Sequence, residues 1–265
     1  MDVSGPVEVI GVAASVAFVL IAAGLSLWRG VGVERSVVWA ALRAAAQLLA
    51  VGVLLAAVFT AELAIWWAWL WVVAMVIIAA VTARRRAPDV PDLAIAVALG
   101  IGTSTAVTVA IAFGLQIFEL EAVTLVVIAG ITIGNTMPTT VLAADQTRRQ
   151  LATRVGEMEA KLALGMDGSE VTRDQTRDAA RSSLIPQIER TKVVGLIALP
   201  GAMTGLLLAG VEPVDAVLVQ LVVMYVVLGS VVVAATTVIL VMARRALTAD
   251  LRVAEWVRAD RASHS

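Results

Sequence analysis

Apolar residues follow one another in seven long stretches, which short polar segments separate. The stretches cover residues 7–28, 37–59, 63–82, 93–113, 122–144, 193–209 and 214–242. Each is close to the roughly 20 apolar residues that a helix needs to cross the hydrocarbon core of a bilayer. The pattern therefore predicts an all-α membrane protein with seven transmembrane helices, built as a single transmembrane domain over residues 1–265.

Charged residues separate by sign between the connections of this seven-helix arrangement. Basic residues lie in the connections after the first and third stretches, within residues 145–192 and after residue 243, whereas the alternate connections hold acidic residues without a basic one. Positive charge is retained on the cytoplasmic side of a membrane. We therefore expect the N-terminus outside, residues 145–192 inside, and residues 243–265 as a cytoplasmic tail.

Composition excludes several classes of function. The chain is 60% hydrophobic and 15% charged, which is too apolar for a soluble enzyme. It has no cysteine, its one histidine is His264, and its formal net charge of -1 argues against a nucleic-acid partner. Its two lysines, Lys161 and Lys192, do not follow a glycine-rich phosphate loop. We thus expect no catalytic residue and no cofactor bound by this chain.

The segment 145–192 is predicted to form a cytoplasmic helical hairpin between the fifth and sixth transmembrane helices. Leu151, Val155, Met158 and Leu162 recur with the period of an amphipathic helix, and residues 165–169 break it. A second helix is expected to end before Pro186. The nine basic and eight acidic residues of the segment are nearly balanced, which fits either a docking surface for a cytoplasmic protein or a simple connector.

Arg43 and Gln47 are polar residues within the second predicted span, four positions apart on one helix face. Charged side chains inside a membrane usually face the interior of the helix bundle. Two interpretations remain open for this pair. It contributes to a translocation pathway, or Arg43 extends to the cytoplasmic interface and bonds neighbouring helices.

Polar residues, glycines and prolines also interrupt the fifth, sixth and seventh spans. These positions are Gly134, Asn135 and Met137 before Pro138, then Pro200, Gly201, Met203, Thr204 and Gly205, and finally Gln220. One interpretation is a tightly packed, kinked helix. The other is a broken span that lines a cavity, in which free polar groups meet water or substrate.

Four ordered blocks, and the pair Arg43 and Gln47, resemble the motifs of the FetB/YbbM permease family over roughly residues 30–247. The blocks are residues 133–137 (Gly-Asn-Ser/Ala-Met in the family), 159–165 (Glu-Ala-x-Leu-Ala-Leu-Gly), 181–186 (Arg-x-x-Leu-x-Pro) and 194–205 (Val-Gly-Leu-x-x-Leu-Pro-Gly-Met-Met-Thr-Gly). Ala202 stands where the family has a methionine. The family comprises membrane subunits of ATP-binding cassette (ABC) transporters for iron export, related to plant aluminium-tolerance proteins.

The resemblance implies a homodimeric permease driven by a separate soluble ATPase, which would carry the ATP and magnesium. It implies coupling through Glu157, Glu159, Ala160, Leu162 and Gly165. It also implies iron as substrate, but the spans offer amides, hydroxyls and thioethers in place of the imidazole, thiolate or carboxylate groups that iron prefers. Another metal, a chelate or a non-metal solute therefore stays open, and the metal ligands are unknown. The competing class is an ATP-independent secondary transporter or a heptahelical sensor.

Overall fold

The computed structural model describes residues 6–59, 64–86 and 93–258, which are predominantly helical. Their helices, in chain order, are α1 (Pro6–Arg29), α2 (Glu34–Phe59), α3 (Ala64–Arg86), α4 (Leu93–Gly114), α5 (Ala122–Thr153), α6 (Val155–Ala163), α7 (Gly168–Val171), α8 (Arg173–Lys192), α9 (Gly201–Leu208) and α10 (Pro213–Arg245). Leu63, at the start of the third predicted span, and the tail residues after Arg258, including His264, lie outside the described residues.

Within this described part, six helices are long and apolar enough to cross a membrane, namely α1 to α5 and α10. They coincide with six of the seven predicted spans, so the all-α membrane fold is confirmed. Residues 193–209 differ, since they contain only the eight-residue helix α9. At 1.5 Å per residue α9 extends about 12 Å, less than half of a hydrocarbon core. The count of seven spans stays a prediction.

The interruption at residues 193–200 has a local cause. Gly195 has a φ of +88°, a conformation that favours glycine, and its N–H donates to the carbonyl of Ala198 at 2.9 Å. Pro200 follows as the N-cap of α9. The backbone of Pro200 is extended, with φ -65° and ψ 145°, so the helix begins only after it.

The chain groups into two compact units, Met1–Ala64 and Ile65–Ser265. In the first unit α1 packs against α2. The hydroxyl of Ser26 donates to Glu34 Oε2 and accepts from the N–H of Val33, both at 3.4 Å. These bonds hold the short turn between the two helices.

The core of the second unit is formed by α4, α5 and α10, which pack against one another. At one level the Ser104 hydroxyl donates to the Ser230 carbonyl at 2.8 Å, joining α4 to α10. Gly100 marks the closest approach of these helices, because a Cβ there would lie 2.7 Å from Val238 Cγ2. The polar helix α8 lies along both α5 and α10.

The predicted hairpin differs from the observed segment in two respects. Helix α5 continues without interruption through Pro138 to Thr153, beyond the apolar stretch. The second helix was expected to end before Pro186, but the corresponding helix α8 runs through this proline to Lys192. A proline inside a helix costs about 3 kcal/mol, and the packing of α8 along α5 and α10 outweighs that cost. The break after α6 and the capping of α7 by Asp167 agree with the sequence.

Candidate functional site

The apolar stripe of α6 is covered by the residues that follow α10. Val155 and Met158 of α6 are buried together with Leu151 near the end of α5, and Leu162 packs beside them half-buried. The same cluster contains Val171, Ala246, Val253, Ala254 and Val257, with Leu247, Met166 and Trp256 at its edge. The apolar face of the amphipathic helix is therefore internal, and any docking surface lies on the opposite face of α6.

The chain folds back after α10 to make this contact. The N–H of Thr248 donates to the Arg252 carbonyl, and the N–H of Ala254 donates to the Ala246 carbonyl, each at 2.8 Å. The described part of the predicted tail is thus a short antiparallel turn that packs on α6. We call α6, α7, α8 and residues 246–258 the coupling module below.

Ion pairs connect α6 and its junction with α5 to α8. Lys161 Nζ lies 2.8 Å from both Glu157 Oε1 and Asp174 Oδ2. The hydrogen bond that Lys161 donates to Asp174, and then the one to Glu157, raises the pKa of Lys161, and the bond to Asp174 lowers the pKa of Asp174. Arg154 reaches Asp178 Oδ2 at 2.8 Å. Two separate ion pairs therefore hold α8 against the beginning and the last turn of α6.

Glu159, a predicted coupling residue, bonds the chain's own C-terminal part. Its Oε1 atom accepts a hydrogen bond from Arg258 Nη2 at 2.7 Å. Both side chains remain about half exposed. Glu159 thus has a structural partner and still presents a carboxylate at the surface of the coupling module.

Helix α6 ends in a glycine cap at Gly165, whose φ is +78°. Gly165 N–H donates to the Leu162 carbonyl at 3.0 Å, and Met166 N–H donates to the Lys161 carbonyl at 3.2 Å, the paired bonds of a Schellman motif. Leu164, just before the glycine, is 81% exposed. With exposed Ala160 one turn earlier, it gives the outer face of α6 a small apolar surface.

The next turn is fixed by Asp167, the N-cap of α7. Its carboxylate accepts from the hydroxyl of Ser169 at 2.6 Å and from the N–H of Ser169 at 3.2 Å. These bonds, the hydroxyl first, lower the pKa of Asp167. Beside this turn, a groove of about 870 Å³ runs between the start of α8 and the end of α10, lined among others by Arg173, Arg244 and Leu251.

A second candidate site is a cavity of about 260 Å³ among α5, α8, α9 and α10. Four residues singled out from the sequence line it together, namely Asn135, Pro200, Gly201 and Gln220. The remaining lining residues are Gln187, Arg190, Thr191, Val194, Ala198, Leu199, Val223, Met224 and Val227. The sequence therefore located part of a site whose members come from four different helices.

Polar groups in this cavity differ in how they are satisfied. Asn135 Nδ2 donates to the Ile131 carbonyl one turn earlier, at 2.7 Å. Gln220 is only 8% exposed, and its Oε1 atom is buried without a hydrogen-bond partner in the described structure. Because an unsatisfied buried amide is costly, Gln220 is a group that a bound molecule can stabilise.

Other predicted pathway residues lie elsewhere. Gly134, Met137, Met203, Thr204 and Gly205 are not among the residues that line this cavity. Thr204 donates its hydroxyl back to the Pro200 carbonyl at 3.1 Å, which stabilises the first turn of α9. Gly134 has open space beside its Cα within the described chain.

Arg43 and Gln47 belong to the first compact unit. Both are exposed on α2, and neither lines the apolar groove between α1 and α2, to which Ala41, Leu42 and Ala45 contribute. Both interpretations of this pair therefore remain open.

Sequence reasoning missed Gln187, Arg190 and Thr191, because they lie at the end of the segment assigned to the soluble hairpin. Their spacing of i, i+3 and i+4 places them on one face of α8, and that spacing could have identified them. It also missed Leu164, which lies outside the α6 stripe. Across the described ranges, no three histidine or acidic residues lie close enough to hold a metal ion.

Comparison with known proteins identifies relatives over most of the chain. A family model described as "Uncharacterised protein family (UPF0014)" matches residues 9–247. The chain is 35% identical to the rice "UPF0014 membrane protein STAR2" over 219 residues, covering 82% of this chain and 76% of that protein. It is 33% identical to the Arabidopsis thaliana "Protein ALUMINUM SENSITIVE 3" over 225 residues, covering 85% and 82%.

A bacterial relative has a more explicit name. The Escherichia coli "Probable iron export permease protein FetB" is 27% identical over 215 residues, which cover 80% of this chain and 82% of that protein. No solved structure matches the chain significantly.

Proposed function

The chain belongs to the UPF0014 family, and on that premise we propose that it is the permease subunit of an ABC transporter. It is a multi-pass protein of the cell membrane. A separate soluble ATPase drives transport, and two copies of this chain form the membrane pathway. The N-terminus lies outside and the coupling module lies in the cytoplasm, as the distribution of basic residues indicates.

The observation that supports this proposal most is the attachment of the coupling module to the membrane helices. Helix α6 follows α5 after a single residue, Arg154. Helix α8 packs along both α5 and α10, the two longest helices of the described chain. A force applied to α6 is therefore transmitted to membrane helices through packed elements and not through a flexible loop, as a subunit driven from outside requires.

In this mechanism, the ATPase contacts the outer face of α6. Ala160 and Leu164 supply apolar contact, Gly165 sets the turn that presents them, and Glu157 and Glu159 supply charge at the rim. Leu162 acts from within the module, since it packs against the buried cluster. Closure of the ATPase dimer on ATP would displace α6, and α5 and α8 would follow.

The substrate class follows from relatives and from donor chemistry. The name of the bacterial relative points to iron, and the proposed cargo is iron, another metal, or a chelate of it, moving outward. The polar groups of the intramembrane cavity are amides, a hydroxyl and a guanidinium, which suit a chelate better than a bare metal ion.

The test measures co-purification of the ATPase with the full-length chain. We expect Glu159→Gln and Gly165→Ala to reduce it at least tenfold. Arg258→Gln is the matched control, because it breaks the same 2.7 Å pair and leaves the Glu159 carboxylate available. It should retain most of the ATPase, whereas an equal loss in Glu159→Gln and Arg258→Gln would assign Glu159 to folding alone.

Transport in reconstituted vesicles separates the two classes of function. Under the proposal, export requires the ATPase and stops when nucleotide is removed. Export that continues without nucleotide would favour an ATP-independent carrier and refute the proposal.

A further inference from the structure

We propose that the cavity among α5, α8, α9 and α10 binds a small solute that carries both negative charge and hydroxyl groups. This inference rests on the proposed function, because it names the solute class that the permease takes up from one side of the membrane. It follows from the depth of the cavity, the ends of two helices beside it, and the charge of its lining.

The depth of the cavity can be measured along α5. Asn135 precedes Asp145, the first charged residue of α5, by ten residues, which is about 15 Å along a helix. The cavity therefore lies within the apolar part of α5. Ala180 and Leu184 of α8 pack against the buried cluster that contains Ala143. The later residues of α8 continue from that level toward the cavity that Asn135 lines.

The backbone beside this cavity is not helical. The turn at residues 193–200 separates α8 from α9, and Val194, Ala198 and Leu199 of that turn line the cavity. Non-helical backbone is tolerated at this depth where it borders protein or a water-filled cavity. Discontinuous helices of this kind form substrate sites in other transporters.

The N-terminal end of α9, which carries partial positive charge, borders the cavity. Its first internal hydrogen bond is donated by Thr204 N–H to the Pro200 carbonyl at 3.0 Å, so the preceding N–H groups have no partner within the helix. No side chain caps this end, and Gly201 has open space beside its Cα. A helix start of this kind attracts an anion.

The described lining of the cavity carries one positive charge. Arg190 is exposed on α8 and is the charged member among the described residues that line the cavity. The neighbouring Lys192 and Glu189 pair with each other at 2.7 Å. An arginine at membrane depth that faces lipid is unfavourable, whereas one that faces a water-filled cavity can bind a negative group.

Gln220 contributes to the lining from α10, whereas Arg190 contributes from α8. Its buried Oε1 atom has no partner among the described groups and requires a hydrogen-bond donor. A hydroxyl group of the solute supplies that donor while the anionic group meets Arg190 and the start of α9. A bare metal cation fits this cavity less well, because Arg190 repels it and the described lining contains no carboxylate that would offset the repulsion.

The experiment measures equilibrium binding to the purified full-length chain in phosphatidylcholine nanodiscs, without the ATPase. The probes are citrate, ferric citrate, glycerol 3-phosphate and Fe²⁺ alone. We expect at least one anionic probe to bind, with at least tenfold weaker binding to Arg190→Gln and to Gln220→Leu. Arg190→Lys should lose less than Arg190→Gln. Arg177→Gln, an exposed arginine earlier on α8, is the matched control and should change binding less than twofold.

The results show separately whether the anion site fails and whether the proposed coupling to the ATPase fails. Anion binding without ATPase association would retain the site and refute the coupling, whereas ATPase-driven export without anion binding would retain the coupling and overturn the site. Binding of Fe²⁺ alone that survives Arg190→Gln would also overturn it. So would Arg190-dependent retention of phosphatidylglycerol in place of every soluble probe, since it would assign the cavity to a lipid headgroup.

Discussion

Replacing Met158 and Leu164 separately distinguishes the inner face of α6 from its outer face. Met158 is fully buried in the cluster that joins α6 to residues 246–257, whereas Leu164 is 81% exposed. The two side chains lie six residues apart on the same short segment. The first therefore contributes to stability, and under the proposed function the second contacts the ATPase.

The expected magnitudes differ clearly. A buried Met→Ala change costs about 2–5 kcal/mol, since transfer free energy is lost and a cavity remains. At about 1.4 kcal/mol per tenfold, even the lower end accelerates local opening about 30-fold. An exposed Leu→Ala change stays within about 0.5 kcal/mol, which is close to twofold.

Hydrogen–deuterium exchange of the full-length chain in nanodiscs, read by mass spectrometry, measures local opening directly. Met158→Ala should accelerate exchange both in α6 and in residues 246–257, because one cluster protects both. Leu164→Ala should leave exchange unchanged and weaken co-purification of the ATPase. If Met158→Ala accelerates exchange in α6 alone, the packing of the chain after α10 on α6 is wrong.

Two further predictions concern packing and charge. Gly100→Ala should destabilise the contact of α4 with α10 by about 1–3 kcal/mol, because the added Cβ would lie 2.7 Å from Val238 Cγ2. Gly102→Ala is the neutral control, because its Cβ would lie 4.0 Å from Val76. Thermal unfolding in detergent measures the effect of both changes. The stability that the Lys161–Asp174 ion pair contributes should be constant at intermediate pH. A raised Lys161 pKa gives stability that is complete below the ordinary value of 10.5 and is lost as pH rises through the higher folded value. A lowered Asp174 pKa gives stability that is present above 3.8 and is lost as pH falls through the lower folded value. The distance between spin labels on α6 and α8 should broaden at both extremes, and Lys161→Met should remove the alkaline change.

The sequence predicted the long helices well because their apolar lengths are set by the bilayer and not by a specific partner. It also predicted the stripe of α6, since periodicity reports that one face is buried. It could not predict what covers that face, because Val253 and Val257 lie about a hundred residues after Val155. Contacts between positions so distant in the chain leave no periodic signal.

The intramembrane cavity was predictable in part for the same reason. Asn135 and Gln220 are conspicuous in apolar surroundings, since polar groups within a membrane are costly and therefore informative. Arg190 is equally polar, but it follows a hydrophilic segment in which charged residues are ordinary. Only the packing of α8 along α5 places it beside Asn135.

Helix α8 is the element that joins the two candidate sites. Its first turns bear Asp174, which bonds Lys161 of α6, and Asp178, which bonds Arg154 at the junction of α5 with α6. Its last turn contributes Arg190 to the cavity. Twenty residues of helix extend about 30 Å. Pro186 lies between these ends and leaves one carbonyl of the preceding turn without its helical donor. A displacement of α6 would therefore reach the cavity through a rigid first half of α8, and the helix would bend most easily at Pro186, immediately before the residues that face the proposed solute.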